Sequence, residues 1–144
     1  LFTQGHSVGP ATAPQRQPLD LPPADAPALA LEVGKRQLQA RFCQGRRVAF
    51  TFNDLCEQPT AVMDYLQLCQ RFDQWIIDEL PQLGECPIAV QQRFINLIDV
   101  LYDQDKHLTL LGQLPLGQSL EGHAIDLART RSRLGQLQEI HAPN

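Results

Sequence analysis

Apolar and polar positions along this chain follow two periods, and the switch between them outlines the fold. In Leu29-Ala30-Leu31-Glu32-Val33 and again in Gln37-Leu38-Gln39-Ala40-Arg41-Phe42, apolar residues fall on alternate positions around Gly34-Lys35. That is the pattern of a half-buried hairpin. Val48-Ala49-Phe50-Thr51-Phe52, after the turn-like Gln44-Gly45-Arg46-Arg47, predicts a third strand. From Pro59 the period lengthens: Val62, Tyr65, Leu66, Cys69 and Phe72 line one face of a helix, with Pro59 suited to its first turn. Trp75-Ile76-Ile77-Asp78-Glu79-Leu80, closed by Pro81, is short and apolar and predicts a strand.

A second helix is expected from about Pro87 to Tyr102, because Val90, Phe94, Leu97, Ile98 and Leu101 form a broad apolar stripe. Gln92, Arg93, Asn96, Asp99 and Asp103 make its polar side. His107-Leu108-Thr109-Leu110-Leu111-Gly112 reads as a buried strand, and residues from about Ile125 to Ile140 as a final, Arg-rich helix. Amino-terminal strands followed by alternating strands and helices predict an α/β fold with a largely parallel sheet, ending in a helix.

Residues 1–28 hold six of the eleven prolines, interleaved with Ala, Gln and Gly. No ladder or helix is expected to persist there, so 1–28 reads as a linker or tail and 29–144 as the α/β portion. The sequence opens on Leu1 rather than Met and reads as the continuation of an upstream segment.

With 43% hydrophobic and 19% charged residues over 144, the composition is that of one packed core. The net charge of -4 argues against non-specific nucleic-acid binding, which needs surplus Lys and Arg against phosphates. Such a surface would require Arg41, Arg46, Arg47 and the late arginines to form one continuous face. Cys43, Cys56, Cys69 and Cys86 contain no C-x-x-C clip and read as free, mostly buried thiols. His6, His107, His123 and His141 show no ligand spacing, so no metal site is expected. No apolar run approaches the roughly 20 residues that span a bilayer, and the start lacks the features of a secretory signal. The chain is therefore expected in the cytoplasm.

The sequence contains no G-x-x-x-x-G-K-[ST]: Gly34-Lys35 lacks the earlier Gly and the hydroxyl residue, and Gly5-His6-Ser7-Val8-Gly9 lacks the Lys. No complete active site is legible, so no catalytic residue is assigned. The most unusual feature is Arg129-Thr130-Arg131-Ser132-Arg133-Leu134. On a helix Arg129 and Arg133 point the same way and Arg131 nearly opposite, so at most two converge on one anion. A planar guanidinium suits phosphate or carboxylate oxygens, but a solvated face paired locally, for example Asp126 with Arg129, fits equally. Arg93, beside the apolar Phe94-Ile95, poses the same choice. Asp64 and Tyr65 read as a charge at the positive end of a helix and a core aromatic with a wet hydroxyl. Asp99 and Asp103 read as solvated acids.

Several stretches resemble the carboxy-terminal region of the ZapE family of P-loop ATPases, whose mitochondrial relatives include the lactation-elevated proteins. They are Phe52-Asn53-Asp54-Leu55-Cys56 with Pro59, Asp64-Tyr65-Leu66-Gln67-Leu68, Leu80-Pro81-Gln82-Leu83, Arg93-Phe94-Ile95-Asn96-Leu97-Ile98-Asp99-Val100-Leu101-Tyr102-Asp103, and Arg129-Thr130-Arg131-Ser132-Arg133-Leu134. The resemblance runs from about Leu31 to Gln138. The chain departs from the family pattern at Gln92, where a second arginine is usual, and at Gln136-Leu137.

What the resemblance implies is an ATPase of AAA+ type, associated with cell division in bacteria and protein quality control in mitochondria, peripheral at the inner membrane. ATP and Mg2+ are then held by an upstream domain carrying the P-loop, not by this chain alone. Partners are that domain, further copies in a homo-oligomer, and division or quality-control substrates, with no nucleic acid. By analogy with AAA+ enzymes, Arg133 is the candidate for reaching the γ-phosphate, Arg93 for a neighbour's nucleotide, and Arg129 stands beside them. The competing reading is a stand-alone, non-catalytic interaction module derived from this family.

Overall fold

The structure is a computed structural model that describes residues 2, 5–23, 25–122 and 126–140. The described residues form eight strands: β1 (Gly5–Val8), β2 (Leu29–Val33), β3 (Arg36–Ala40), β4 (Phe42–Gln44), β5 (Arg47–Thr51), β6 (Gln74–Leu80), β7 (His107–Gly112) and β8 (Gln138–Ile140). The helices are α1 (Ala13–Arg16), α2 (Phe52–Cys56), α3 (Val62–Arg71), α4 (Ile88–Asp103), α5 (Leu116–Ser119) and α6 (Leu127–Leu134).

Six strands make one sheet in the order β4-β5-β6-β7-β1-β8, parallel except for the β4–β5 hairpin at its edge. The expected α/β architecture with a largely parallel sheet is what forms. β2 and β3 pair separately as an antiparallel hairpin, whose turn uses Gly34 at φ 60°, a backbone state favouring glycine.

Alternate residues of the central strands feed two layers, as a period of two requires. Val48, Phe50, Trp75, Ile77, Leu108 and Leu110 point into the larger core with α2, α3, α4 and the β2–β3 hairpin. Ala49, Ile76 and Leu111 point to the other face. α4 buries Val90, Phe94, Leu97, Ile98 and Leu101, the five residues of the expected stripe.

Residues 1–28 depart from the linker expectation. Gly5–Val8 is an inner strand, parallel to β7 on one side and β8 on the other. The prolines begin at Pro10, so β1 ends before them and its ladder is intact. Gly5, at φ 143°, allows the close approach: a Cβ there would overlap the carbonyl of Leu108. Ala11, Leu19 and Leu21 then cover the sheet's second face against Ala49, Ile76 and Leu111. This strap packs on the sheet through these three residues, of which Ala11 is buried and Leu19 and Leu21 are half-buried. Its short helix α1 begins with half a capping box, Thr12 N donating to Gln15 Oε1 at 2.8 Å.

Three other expectations shift. Pro59 lies ahead of α3, which starts at Val62 with Asp64 Oδ2 accepting from Ala61 N at 2.8 Å. The last helix is shorter than expected: α6 stops at Leu134, and the chain returns as β8 beside β1. Ile125, where it was expected to begin, lies outside the described residues, as do His123 and His141. No helix among the described residues is long and apolar enough to cross a membrane.

Candidate functional site

In α6, Leu127, Thr130 and Leu134 are buried at helical spacing, which turns Arg129 and Arg133 toward α4. Both arginines end on one carboxylate. Arg129 Nη2 donates to Asp99 Oδ2 at 2.8 Å, and Arg133 Nη1 donates to Asp99 Oδ1 at 2.5 Å. The two guanidinium groups do converge on one anion, and that anion is supplied by α4. The anticipated pairing of Arg129 with Asp126 is replaced by a bond across two helices, and Asp99 is not a solvated acid but a bridging one. Arg131 is exposed on the other side.

Arg133 is the more constrained of the pair. Its guanidinium lies over the Tyr102 ring at 4.4 Å, and its side chain is 23% exposed against 49% for Arg129. Around the same ring, Phe2 packs edge-on at 5.4 Å and Gln136 Nε2 donates to the Tyr102 hydroxyl at 3.4 Å. Phe2 N donates to Gln136 Oε1 at 3.1 Å, so Gln136, a departure from the family pattern, ties the amino-terminal segment to this seam.

Arg93 stands apart, six residues before Asp99 on α4. That is about 9 Å along the axis and on another side of the helix. Its Nη1 donates to the Cys56 carbonyl at 3.1 Å, placing a cation at the carboxyl end of α2, where the dipole favours it. Cys56 itself is a buried free thiol, its pKa pushed well up by burial. Cys69 is also buried, while Cys43 and Cys86 are half-buried, and all four are free. Beside Cys56, Tyr65 is fully buried and its hydroxyl is not wet: it donates to the Leu55 carbonyl at 2.7 Å and lies 2.7 Å from Thr60 Oγ1.

A cleft of about 610 Å³ opens at the carboxyl ends of β5 and β6, under the strap. Arg16 of α1 grips Asp78 in bidentate fashion, Nη1 to Oδ2 at 2.6 Å and Nη2 to Oδ1 at 2.9 Å. The β6–β7 ladder slips between Ile77 and Leu80, and Glu79 there takes φ 57°. Arg41 spends its donors on the carbonyls of Pro23 and Ala26. None of this was legible as a site in the sequence, because Arg16 and Asp78 lie 62 residues apart and the strap read as a linker. The arginines Arg41, Arg46 and Arg47 bind separate partners, Arg46 taking Asp73 and Arg47 the Leu19 carbonyl.

A family model described as AFG1-like ATPase matches residues 7–142. The chain belongs to the AFG1-like ATPase family. The match takes in the end of β1, from Ser7, and the strap, which the resemblance read from about Leu31 onward left out. Lactation elevated protein 1 homolog B of Danio rerio is 34% identical over 101 residues, which cover 70% of this chain and 20% of that protein. An uncharacterised protein of Schizosaccharomyces pombe is 34% identical over 86 residues, 60% of this chain and 19% of that protein. The aligned stretch thus spans about a fifth of each relative's length. No solved structure matches. For this AFG1-like chain the Asp99 clamp falls within two of the motif stretches that carry the resemblance.

Proposed function

We propose that this chain is the carboxy-terminal portion of a ZapE-type ATPase of the AFG1-like family, and that α6 presents Arg129 and Arg133 to the nucleotide of an upstream P-loop domain. ATP and Mg2+ belong to that domain, since this sequence has no phosphate-binding loop of its own. The observation that carries the reading is the convergence of two arginines from adjacent turns on a single anion, Asp99. A pair ordered in this way can stabilise charge on a transferring phosphoryl group when Asp99 yields one of its partners. Arg93, committed to the Cys56 carbonyl, is the weaker candidate for a neighbour's nucleotide in a homo-oligomer. The work driven by turnover is cell division or protein quality control at the inner face of a membrane, with protein substrates.

Arg129→Ala in the full-length protein is the direct test, because its side chain is half exposed and its loss spares the core. ATP turnover should fall at least about tenfold with the melting temperature nearly unchanged. Unchanged turnover overturns the role. The competing reading, an interaction module without nucleotide contact, is favoured by the same clamp seen as complete: Asp99 already satisfies both arginines. It predicts unchanged turnover for Arg129→Ala and Arg133→Ala alike, with loss of stability only.

A further inference from the structure

At the opposite end of the parallel strands, the first residues of β5, β6 and β7 stand in register: Arg47 beside Gln74, and Gln74 beside His107. Parallel partners in register share a face, so these three side chains form a polar row across the sheet on the strap side. Two residues on, Ala49, Ile76 and Thr109 make the next row, with His6 of β1 beside Thr109. An inner parallel sheet buried on both faces ordinarily reads as an apolar run. Here the amino ends break that run with Arg, Gln, His and Thr.

A cleft of about 360 Å³ lies over these rows, roofed by Pro18 and Leu19 of the strap and floored by Ile76. Thr109 lines it and is only 3% exposed. His107 also lines the cleft, its ring 6.4 Å from that of His6, and no hydrogen bond to its ring is found among the described residues. Arg47 donates to the Leu19 carbonyl through Nη2 at 2.6 Å and lies 5.0 Å over the Phe42 ring, which fixes the guanidinium under the roof, and no further hydrogen bond from it is found among the described residues. Among the described residues, no carboxylate lines this cleft. The nearest acid by sequence, Asp73, is held outside it by Arg46 and Lys106 together, so the edge carries more positive than negative charge.

We propose that this cleft binds a small organic oxyanion, with Arg47 and His107 meeting its charged oxygens, Thr109 donating to one of them, and Leu19, Pro18 and Ile76 holding its apolar body. The charged head is a phosphate monoester or a carboxylate, chemistries that a guanidinium serves alike. The site lies on the strap face and draws on none of the residues of the Asp99 clamp, so it stands independently of the nucleotide role proposed above.

The test titrates the 144-residue chain at constant ionic strength with inorganic phosphate and, separately, with benzoate, following the ring resonances of His6 and His107. A saturable shift of His107 with either probe is expected, phosphate alone indicating a phosphate ester and benzoate alone a carboxylate. Arg47→Gln should weaken binding about tenfold, as expected for loss of a charge-assisted contact. Thr109→Val, which keeps the side chain's shape and so the fold, should weaken it about threefold at an unchanged melting temperature. Arg129→Ala should bind as the parent does. Absence of saturation with both probes overturns the site, and so does parental affinity in Thr109→Val together with Arg47→Gln. If Arg47→Gln loosens the strap, Thr109→Val alone decides.

Discussion

Asp99 and Arg133 meet at 2.5 Å across the α4–α6 seam, and each brings a second contact to the meeting: Arg129 on the carboxylate and the Tyr102 ring under the guanidinium. One carboxylate therefore fixes the angle of a short helix whose own buried residues are few. The seam is partly sheltered, with Asp99 at 25% exposure and Arg133 at 23%. Removing one partner from an ion pair so placed costs more than at the surface and less than in a fully buried pair.

Asp99→Ala leaves two arginines facing each other without their common partner. It should cost about 2 kcal/mol of unfolding free energy, measured by urea denaturation. Arg133→Ala should cost more than Arg129→Ala, because it also removes the stack on Tyr102. Equal losses for the two arginines would show that the ring contact contributes nothing.

Arg16 and Asp78 are the corresponding tie for the strap. Arg16→Ala removes the bidentate pair and the bond from Arg16 Nε to the Ala11 carbonyl, and takes from Asp78, 17% exposed in the intact pair, its cation. A loss of about 1–2 kcal/mol is expected, concentrated locally. Amide exchange should quicken in residues 11–21 while β5 and β6 stay protected. Uniform quickening across the sheet would mean that the strap and the sheet unfold as one unit.

Elements whose burial is written in their own residues were legible in the sequence. β7 occupies the expected His107–Gly112, and α4 starts and ends one residue later than expected. The opposite holds for β1: Gly5-His6-Ser7-Val8 has no β-branched run, and its place is given by partners about a hundred residues away, Leu108 to Leu111. The proline density of residues 1–28 is no guide to this strand, because the first proline, Pro10, follows it. The same distance hid the Asp99 clamp. Helical spacing showed that Arg129 and Arg133 share a direction, but only the packing of α4 against α6 names what lies there.

Tyr65 gives the sharpest test of the core polar network. Its hydroxyl and that of Thr60 both reach the Leu55 carbonyl, at 2.7 and 2.6 Å, in a region without solvent. Tyr65→Phe keeps the ring and removes one donor, and Thr60 continues to satisfy the carbonyl. The cost should be about 1 kcal/mol by urea denaturation. Thr60→Val, which removes the hydroxyl that links the two groups, should cost at least as much. In the double variant the Leu55 carbonyl is left bare, so its loss should exceed the sum of the two single losses.

Two groups at the amino ends of the strands contribute to the acid limb of stability, in opposite chemical senses but with the same sign. His107 is held below its ordinary value of 6.5, first by burial and then by the charges of His6 on β1 and Arg47 on β5. The unfolded chain then takes up the proton more readily than the folded one, so this contribution is complete above pH 6.5 and is lost as pH falls through the lowered value. Asp73 is held below its ordinary 3.8 by hydrogen bonds from Arg46 and Lys106, so its contribution is complete above pH 3.8 and is lost as pH falls further. The melting temperature should therefore decline in two stages on acidification, the upper one ascribed to His107 and the lower one to Asp73. His107→Gln should flatten the upper stage and leave the lower, and Asp73→Asn the reverse. The measurement belongs in a buffer free of phosphate and carboxylate, since an oxyanion beside His107 would raise its pKa and mask the upper stage. Persistence of that stage in His107→Gln would assign it to another group.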